Sequence, residues 1–457
     1  MKILFYADPA RIYDMFLPSL KVMLDHLLNF FGRALLRTGQ VEIRAVMPSV
    51  ACWQAESQPE ALEGVRVVGM SLDDLRRIFA ECRSLDEMQL AFFRAAEAPW
   101  QARLADWFDR ALGGWEPDVV LAFPTETAPL RRIFPRALAL TVENGVFSRM
   151  PFPRSLRFEP VGFMNGFLSR YRERIWNFPV GAAERTAVQD FCRCLRERLA
   201  AGSPCRRRLE EARARYRRLV LCPVPARNFY GEAHLDDPLL WLDDVLGRVP
   251  GDIGVIATFH DNIATSLNER TLAFLRSRHP NLLTFGQTLP SAFVYPFVDA
   301  ILNCETMTGT QGMLVCPHVV SLDRSYSAWM AEAEGPESLE RVLAGPAPDR
   351  TALVYWYLTH FTVCEYRFDD ADWLLRYFSD KLASFRADGL AFETFGEIEP
   401  FARVADWTLS AAGRCQDELA AAERGRRRVS AKVARRLGAW LSGAGARLSA
   451  AGEGRRA

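Results

Sequence analysis

Short apolar runs alternate with longer amphipathic segments through the first half of the chain. The runs at 2–7, 41–48, 65–70, 117–124 and 136–145 are almost entirely apolar, and the segments at 13–39 and 71–112 space their apolar residues as helices do. Short strands that are apolar on both faces are typical of parallel sheets covered by helices on both sides. The pattern predicts a Rossmann-like, doubly wound α/β domain over residues 1–195.

A charged segment at 194–218, broken by Gly202 and Pro204, separates this unit from a second one. Further strands are predicted at 219–225, 252–260, 281–286, 299–304 and 318–323, with a helix at 238–248. We therefore expect a second Rossmann-like domain over 196–385, followed by helices over 386–423 that pack back on the body. Two such domains in series place the carboxyl ends of their strands across a shared cleft, where open α/β sheets bind ligands.

Composition agrees with a soluble globular protein of more than one domain. The chain has 457 residues, of which 49% are hydrophobic and 25% charged. No apolar run reaches the roughly 18 residues of a membrane-spanning helix, and the N-terminus turns polar too early for a secretory signal. The ten cysteines show neither zinc spacing nor a disulfide framework. Since the cysteines suggest no disulfides, a reducing, cytoplasmic location is expected. The Asp pairs at 73/74, 236/237, 243/244 and 369/370 fall at helix starts or on helices, so no metal site is predicted.

The C-terminal tail is strongly basic. Residues 424–457 contain ten Lys or Arg against one Glu, a net charge of +9 in a chain whose total is +1, so the body carries −8. Val429, Val433, Leu437, Trp440 and Leu441 have helical spacing with arginines between them. This pattern indicates an amphipathic helix on the anionic inner-membrane surface. The alternative is a solvated tail whose arginines serve solubility. No nucleic-acid partner is expected, because the body lacks a basic face studded with aromatic residues.

A polar stretch follows the predicted strand at 299–304. Small and hydroxyl-bearing residues at such a strand end let a backbone approach a phosphate and donate hydrogen bonds to it. The stretch lacks the lysine and the spacing of a P-loop, and the chain has no G-x-G-x-x-G. The alternative is an ordinary turn in which Thr caps a helix. The candidate nucleotide-binding residues here are Glu305, Thr308, Gly309, Thr310 and Gln311.

Two other strand ends of the second domain carry candidate chemistry. His260, followed by Asp261, can donate to a phosphate or transfer a proton near neutral pH. The alternative is a capping cluster for the segment that follows. Arg227 and Asn228 follow the domain's first strand and are candidates for nucleotide binding, unless they only form a turn set by two prolines.

The last strand of the first domain ends in Glu143 and Asn144. A carboxylate beyond an apolar strand is costly unless it is exposed in a cleft or paired, so Glu143 is the candidate catalytic residue of this domain. Arg149, Arg154 and Arg157 follow, and guanidinium groups can clamp an anionic sugar together with Asn144. The alternative for the arginines is a solvated loop.

The stretches at 143–166, 221–228, 258–262 and 301–323, in this order, resemble the bacterial capsular-polysaccharide biosynthesis glycosyltransferases, which include the β-Kdo transferases. The similarity covers roughly residues 110–385. It implies a GT-B fold, a nucleotide-sugar co-substrate that is CMP-linked in the β-Kdo transferases, and no metal or other cofactor. The resemblance places His260 and Thr308–Gln311 near the donor phosphate and Glu143 on the acceptor side.

The chain differs from this family at two positions. Asp261 stands where members commonly have proline after the histidine, and Arg227 or Asn228 stands where the β-Kdo transferases have an aspartate. A double displacement needs a carboxylate nucleophile, which this motif does not provide. We expect a membrane-peripheral glycosyltransferase that acts on a surface polysaccharide or a lipid-linked glycan. The alternatives are a noncatalytic glycan- or nucleotide-binding protein of capsule assembly and a sugar-nucleotide epimerase.

Overall fold

A computed structural model describes residues 1–10, 31–56, 63–94, 97–123, 125–147, 152, 154–162, 166–225, 238–259, 269–285, 290–304, 306–323 and 327–414. Most of the predicted helix at 13–39 and the whole basic tail lie outside these ranges. No helix in the described part of the chain combines the length and the hydropathy needed to span a bilayer.

The described strands and helices alternate along the chain. The strands are β1 Lys2–Ala7, β2 Glu42–Pro48, β3 Val65–Met70, β4 Val119–Phe123, β5 Leu138–Asn144, β6 Ser155–Glu159, β7 Arg218–Val224, β8 Ile253–Phe259, β9 Leu282–Thr284, β10 Ala300–Asn303, β11 His318–Ser321, β12 Ala333–Glu334 and β13 Val363–Cys364. The α-helices are α1 Arg33–Arg37, α2 Ser49–Glu56, α3 Leu72–Ile78, α4 Leu85–Arg94, α5 Pro99–Leu112, α6 Ala128–Ile133, α7 Gly166–Arg170, α8 Arg172–Trp176, α9 Ala182–Ala201, α10 Arg206–Arg215, α11 Pro238–Arg248, α12 Glu269–Arg278, α13 Met307–Gly312, α14 Leu339–Ala344, α15 Thr351–Trp356, α16 Ala371–Asp388 and α17 at 401–414.

Local signals in the sequence explain where several of these helices begin and end. Ser71 forms a capping box with Asp74 at the start of α3. Gly113 ends α5 with φ 59°, a left-handed conformation that glycine adopts without strain. The region 71–112 contains three helices rather than the two that its pattern predicts, because α3 ends at Phe79 and α4 starts afresh at Leu85.

The first sheet has seven strands in the order β13-β6-β5-β4-β1-β2-β3. Five adjacent strands, β1 to β5, are parallel and wind outward in both directions from β1, whereas β6 and β13 are antiparallel to their neighbours. Alternate residues of β1 enter two different cores: Ile3 and Phe5 pack on one face of the sheet, and Leu4 and Tyr6 on the other. The sheet is therefore covered on both faces, as predicted.

The second sheet has six parallel strands in the order β12-β11-β10-β7-β8-β9. If β7 to β12 are renumbered 1 to 6 and the sheet is read from β9, the order is 3-2-1-4-5-6, which is that of a Rossmann fold. Leu219 and Leu221 of β7 face one core, and Val220 and Cys222 face another. The prediction of two Rossmann-like α/β domains with C-terminal helices is thus confirmed.

After the second sheet the chain returns to the first. β13 pairs with β6, and α16 packs Trp373, Leu374 and Phe378 into the core that β1 and β5 share. Residues 363–388 therefore belong structurally to the first sheet, whereas sequence order placed 196–385 in the second domain. The reason is that α16 has an apolar stripe which covers one face of the first sheet. The connection passes through α15 and a π-helical turn, Tyr357–Phe361.

Candidate functional site

The winding of the second sheet reverses between β7 and β10. These strands are neighbours, with Val220 opposite Ala300, and ligands of open α/β sheets bind outside the carboxyl ends of strands at such a reversal. On the other side of β7, Val224 lies opposite Phe259, the last residue of β8. The predicted residues Arg227, Asn228 and His260 come shortly after these strand ends in sequence, and Glu305 follows β10. All four lie outside the described residues.

The loop after β10 is a capped turn into a short helix. Thr306 caps α13 by accepting a hydrogen bond from the backbone N–H of Thr308 at 3.2 Å. A side chain at Gly309 would overlap the carboxamide of Asn303, and one at Gly312 would overlap Ile301. The two glycines therefore let α13 pack closely on β10, which is a structural reason for their presence.

The predicted loop residues divide into an inner and an outer group. Thr310 and Gln311 are buried, and the Tyr295 hydroxyl lies 3.0 Å from both Gln311 Oε1 and the Thr308 carbonyl oxygen. Thr306 and Thr308 are half-buried, with their hydroxyl oxygens 3.2 Å apart. Of the predicted donors at this strand end, the Thr308 hydroxyl is the one at the outer side of the helix.

A polar network that the sequence reading missed joins the carboxyl ends of β10 and β11. Asn303 Nδ2 donates to the Thr306 carbonyl oxygen at 3.0 Å and to Ser327 Oγ at 2.5 Å. Ser327 Oγ in turn donates to Asp323 Oδ2 at 2.7 Å, and its backbone N–H donates to Asp323 Oδ1 at 2.9 Å. The network fixes the turn that carries Thr306. Its signal in the sequence was a polar residue at the end of each of two adjacent apolar strands.

The first sheet reverses its winding between β1 and β4, where a second missed cluster lies. Asp8, one residue beyond β1, is almost fully buried and accepts hydrogen bonds from Thr125 Oγ1 and from the backbone N–H of Ala10, both at 3.1 Å. Thr141 of β5 donates to the Thr125 carbonyl oxygen. These bonds compensate the desolvation of a buried carboxylate and link the ends of β1, β4 and β5.

Glu143 and Asn144 end β5 beside this cluster. The Glu143 side chain is 8% exposed, and its Oε1 lies 2.7 Å from the Asn144 backbone N–H, which donates to it. In the antiparallel pair of β5 and β6, Glu143 lies directly opposite Arg157. Arg157 is fully buried on β6. It is therefore a residue of the sheet interior, whereas the sequence allowed it to be part of a solvated loop.

Two further ionisable groups surround Arg157. Burial raises the pKa of Glu159 to about 7, although Arg157 and the backbone N–H groups of Val161 and Phe167, each 3.0 Å from Oε1, oppose the shift. Burial also raises the pKa of the Tyr357 hydroxyl, against the influence of Arg157. Tyr357 begins the π-helical turn between the domains, a form of helix that often occurs at functional sites. The first sheet thus contains, at β5 and β6, a buried polar cluster of Glu143, Arg157, Glu159 and Tyr357.

The remaining arginines of the predicted anion clamp do not join this cluster in the described structure. Arg154 is exposed at the start of β6, where its backbone N–H lies 3.3 Å from Glu365 Oε2. Arg149 lies outside the described residues. Within the described ranges, no group of three His, Cys, Asp or Glu side chains is placed to hold a metal ion.

No protein-family model matches the chain, and a search of curated proteins finds no match. Similar solved structures include a β-Kdo 2,7 transferase, KpsC of Thermosulfurimonas dismutans, with 12% identity and a TM-score of 0.35 over 68% of this chain and 88% of that one. Anabaena HepE in complex with UDP and glucose has 11% identity and a TM-score of 0.36, covering 84% and 100% of the two chains. The UDP-GlcNAc 2-epimerase of Methanocaldococcus jannaschii has 12% identity and a TM-score of 0.30, covering 78% and 98%. At these values the similarity concerns the fold class alone. The similar structures include a β-Kdo transferase, a member of the family that the sequence motifs resemble.

Proposed function

We propose that this protein is a glycosyltransferase that transfers a sugar from a nucleotide donor to a glycan acceptor. The observation that carries the proposal is the arrangement of the two sheets. Each reverses its winding at a point where polar side chains gather: Asn303, Thr306 and Thr308 in the second sheet, and Asp8 and Glu143 in or beside the first. An enzyme that joins two substrates needs two such sites, one for each.

The second domain binds the donor in this proposal. The nucleotide phosphate lies beyond β7 and β10, where the Thr308 hydroxyl donates a hydrogen bond to it and His260 stabilises the charge that develops on the leaving nucleotide. Arg227 and Asn228 follow β7 and contact the same nucleotide. Gly309, Thr310 and Gln311 support this site by packing α13 on β10. The resemblance to the β-Kdo transferases favours a CMP-linked donor sugar.

The first domain binds the acceptor. The oxygen of the acceptor hydroxyl attacks the anomeric carbon of the donor sugar and forms a bond to it. Glu143 takes the proton from this hydroxyl as the bond forms. The bond from that carbon to the nucleotide phosphate breaks, and the nucleotide leaves with the bonding electron pair. In this proposal Asn144, Arg149 and Arg154 contact the acceptor. Arg157 takes part from a buried position on β6, directly opposite Glu143.

The basic tail, residues 424–457, holds the enzyme at the anionic inner membrane, close to lipid-linked or growing surface glycans. Its net charge of +9 supports this part of the proposal. Sedimentation of the full chain with vesicles of anionic or zwitterionic lipid, in low and high salt, tests the attachment without any sugar substrate.

A thermal-shift screen against CMP, UDP and GDP, followed by mass detection of transfer onto a lipid-linked glycan, tests the proposed activity. We expect one nucleotide to raise the melting temperature and the matching nucleotide sugar to extend the acceptor by one residue. Nucleotide binding without transfer identifies the noncatalytic alternative, for which the missing aspartate at 227/228 is the supporting observation. Conversion of the free sugar nucleotide to its epimer identifies the third alternative.

A further inference from the structure

Helices α9 and α10 and the residues that flank them form a basic surface on the folded body. Residues 182–218 contain eleven arginines against five acidic residues, although residues 1–423 as a whole are acidic. Nine of the eleven arginines are exposed. We call this region the α9–α10 arginine surface. It is distinct from the strand ends proposed to bind donor and acceptor.

Ion pairs neutralise part of this surface, since some of its arginines pair with Asp349, Asp299 and Asp252 of neighbouring elements, but its other arginines keep positive charge available. Arg206 and Arg207 pair with glutamates one helical turn away, at 2.8 and 3.5 Å, but all four side chains are more than half exposed. Exposed pairs of this kind are weak and exchange readily for other anions. Among the described carboxylates, none forms an ion pair with Arg196 or Arg215.

The surface lies at the amino-terminal edge of the second sheet. Both helices pack near the 3-10 turn Tyr295–Phe297, which precedes β10, and Arg213 donates to the Phe297 carbonyl oxygen at 3.0 Å. α10 then leads directly into β7. The loop that carries Thr306 and Thr308 follows β10 at the opposite edge. A partner bound to the arginine surface therefore leaves the proposed donor site open.

The described chain ends beside this same surface. α17 runs along α9, with the rings of Phe401 and Phe191 5.7 Å apart near one end. Towards the other end, Arg198 donates to the Leu409 carbonyl oxygen at 2.5 Å, and a side chain at Gly413 would lie 3.3 Å from the Arg198 guanidinium. The described chain thus ends next to the turn between α9 and α10, shortly before the tail of charge +9 begins in the sequence.

We propose that the α9–α10 arginine surface docks on an anionic phospholipid bilayer, as a second contact beside the tail. This inference extends the proposed attachment through the tail to the folded body, and it does not require sugar transfer. Charge complementarity carries it, because each basic residue near anionic headgroups strengthens binding several-fold. A single-stranded nucleic acid is disfavoured, since such partners stack their bases on exposed aromatic rings, and the one aromatic side chain at the exposed end of α10, Tyr216, is half-buried.

Three full-length variants with equal loss of charge test the proposal. The body variant is R196Q/R207Q/R215Q, the tail variant is R426Q/R427Q/R428Q, and the matched control is R66Q/R77Q/R110Q on the outer side of the first domain. Each variant is first checked for an unchanged melting temperature. Partition onto vesicles of phosphatidylglycerol and phosphatidylcholine is then measured by sedimentation, with pure phosphatidylcholine vesicles and high salt as negative controls.

We expect the body variant to lose on the order of 100-fold in partition onto the anionic vesicles, and the control variant to lose little. The proposal is overturned if the body variant binds as the unmodified protein does while the tail variant does not, because the tail would then be the sole contact. It is also overturned if body and control variants lose equally, or if the body substitutions weaken binding to single-stranded RNA more than binding to vesicles. A protein that transfers no sugar but behaves as expected here would refute the proposed activity and leave the docking surface intact.

Discussion

Glu143 and Arg157 lie directly opposite each other on β5 and β6 of the first sheet. Cross-strand neighbours of this kind have Cβ atoms about 5 Å apart. Arg157 is fully buried and Glu143 nearly so, and the same guanidinium influences Glu159 and Tyr357. The proposed base therefore belongs to a buried charged cluster, and its neighbours can be tested separately from it.

Substitution of Glu143 by glutamine keeps the shape and the hydrogen-bond acceptor but removes the base. We expect transfer to fall by about 10² to 10⁴, with an unchanged melting temperature and unchanged nucleotide binding. Transfer is measured by mass detection of the extended acceptor. Glu63→Gln, at an exposed position away from the strand ends, is the matched control. Full activity in E143Q would remove Glu143 from the mechanism.

His260→Ala tests the donor side. By the resemblance, this histidine stabilises the leaving nucleotide, so we expect transfer to fall on the order of 10² while acceptor binding stays unchanged. His279 is the control because its Nε2 lies 2.7 Å from Asp243 Oδ1 at the end of α12, a structural contact. H279A should lower the melting temperature and retain transfer. The reverse pattern would exchange the roles of the two histidines.

Glu159 makes the stability of the protein depend on pH. Its pKa in the folded protein is about 7, above the ordinary value of 4.5. Between these values the folded state holds a proton that the unfolded state has released, so stability falls as pH rises from about 4.5 to about 7, by up to about 1.4 kcal/mol per pH unit.

Glu159→Gln removes this contribution and retains the oxygen that accepts from Val161 and Phe167. Urea midpoints measured between pH 4.5 and 8 should show the variant gaining stability relative to the unmodified protein as pH rises. Other carboxylates titrate in the same range, so the difference between the two proteins is the readout. Glu116→Gln, at an exposed position, should give a curve parallel to that of the unmodified protein. Parallel curves for E159Q would contradict the prediction.

Lys381 on α16 gives the opposite dependence at higher pH. Burial lowers its pKa to about 7, although the rings of Tyr377 and Phe395, 4.5 and 4.1 Å from Nζ, favour the ammonium form. The loss of hydration outweighs these contacts, which contribute at most about 2 kcal/mol. Above pH 7 the unfolded chain still binds this proton, so stability rises with pH towards 10.5. Lys381→Met should be most stabilising, relative to the unmodified protein, at pH 7 and below. A constant difference from pH 6 to 10 would contradict this.

Substitution of Gly309 tests whether this glycine serves the packing of α13 on β10 or the approach of a ligand. Because a methyl group there would overlap Asn303, Gly309→Ala should destabilise the protein by about 1 to 3 kcal/mol. Gly247 lies inside α11 with no atom within 4 Å of an added Cβ, so Gly247→Ala should stabilise by roughly 1 kcal/mol. Thermal unfolding measures both. If G309A keeps its melting temperature and loses only nucleotide binding, the glycine serves the ligand rather than the helix.

The architecture was predictable because most strands of both sheets are short, mostly apolar and parallel, and their burial on two faces leaves that pattern in the sequence. What the pattern could not show was the return of the chain to the first sheet. β13 has only two residues, too few for any periodicity, and α16 follows the second domain in sequence. An apolar stripe shows that a helix packs against a core but not against which one.

The sequence was enough to predict which strand ends carry residues of the candidate site, but not all of those residues. Reading residues after apolar strands selected Glu143 and the Thr308 loop, but it overlooked Asp8 and Asn303, single polar residues at the ends of strands. It also treated Arg157 as a loop residue, because strand β6 alternates polar and apolar positions next to a stretch rich in proline and arginine. The burial of its polar face depends on Tyr357, two hundred positions later, which local sequence does not reveal.

The return of β13 and α16 to the first sheet has a consequence for synthesis on the ribosome. All six strands of the second sheet lie between residues 218 and 334 of the sequence. The first sheet, in contrast, lacks its outer strand β13 and its covering helix α16 until residue 388 has emerged. Since domains generally fold as units while the chain is made, the second sheet can assemble before the first is complete, although it is encoded later. A chain of which only the first 350 residues have emerged would hold all six strands of the second sheet and an N-terminal sheet with an open apolar edge, which makes it a substrate for chaperones.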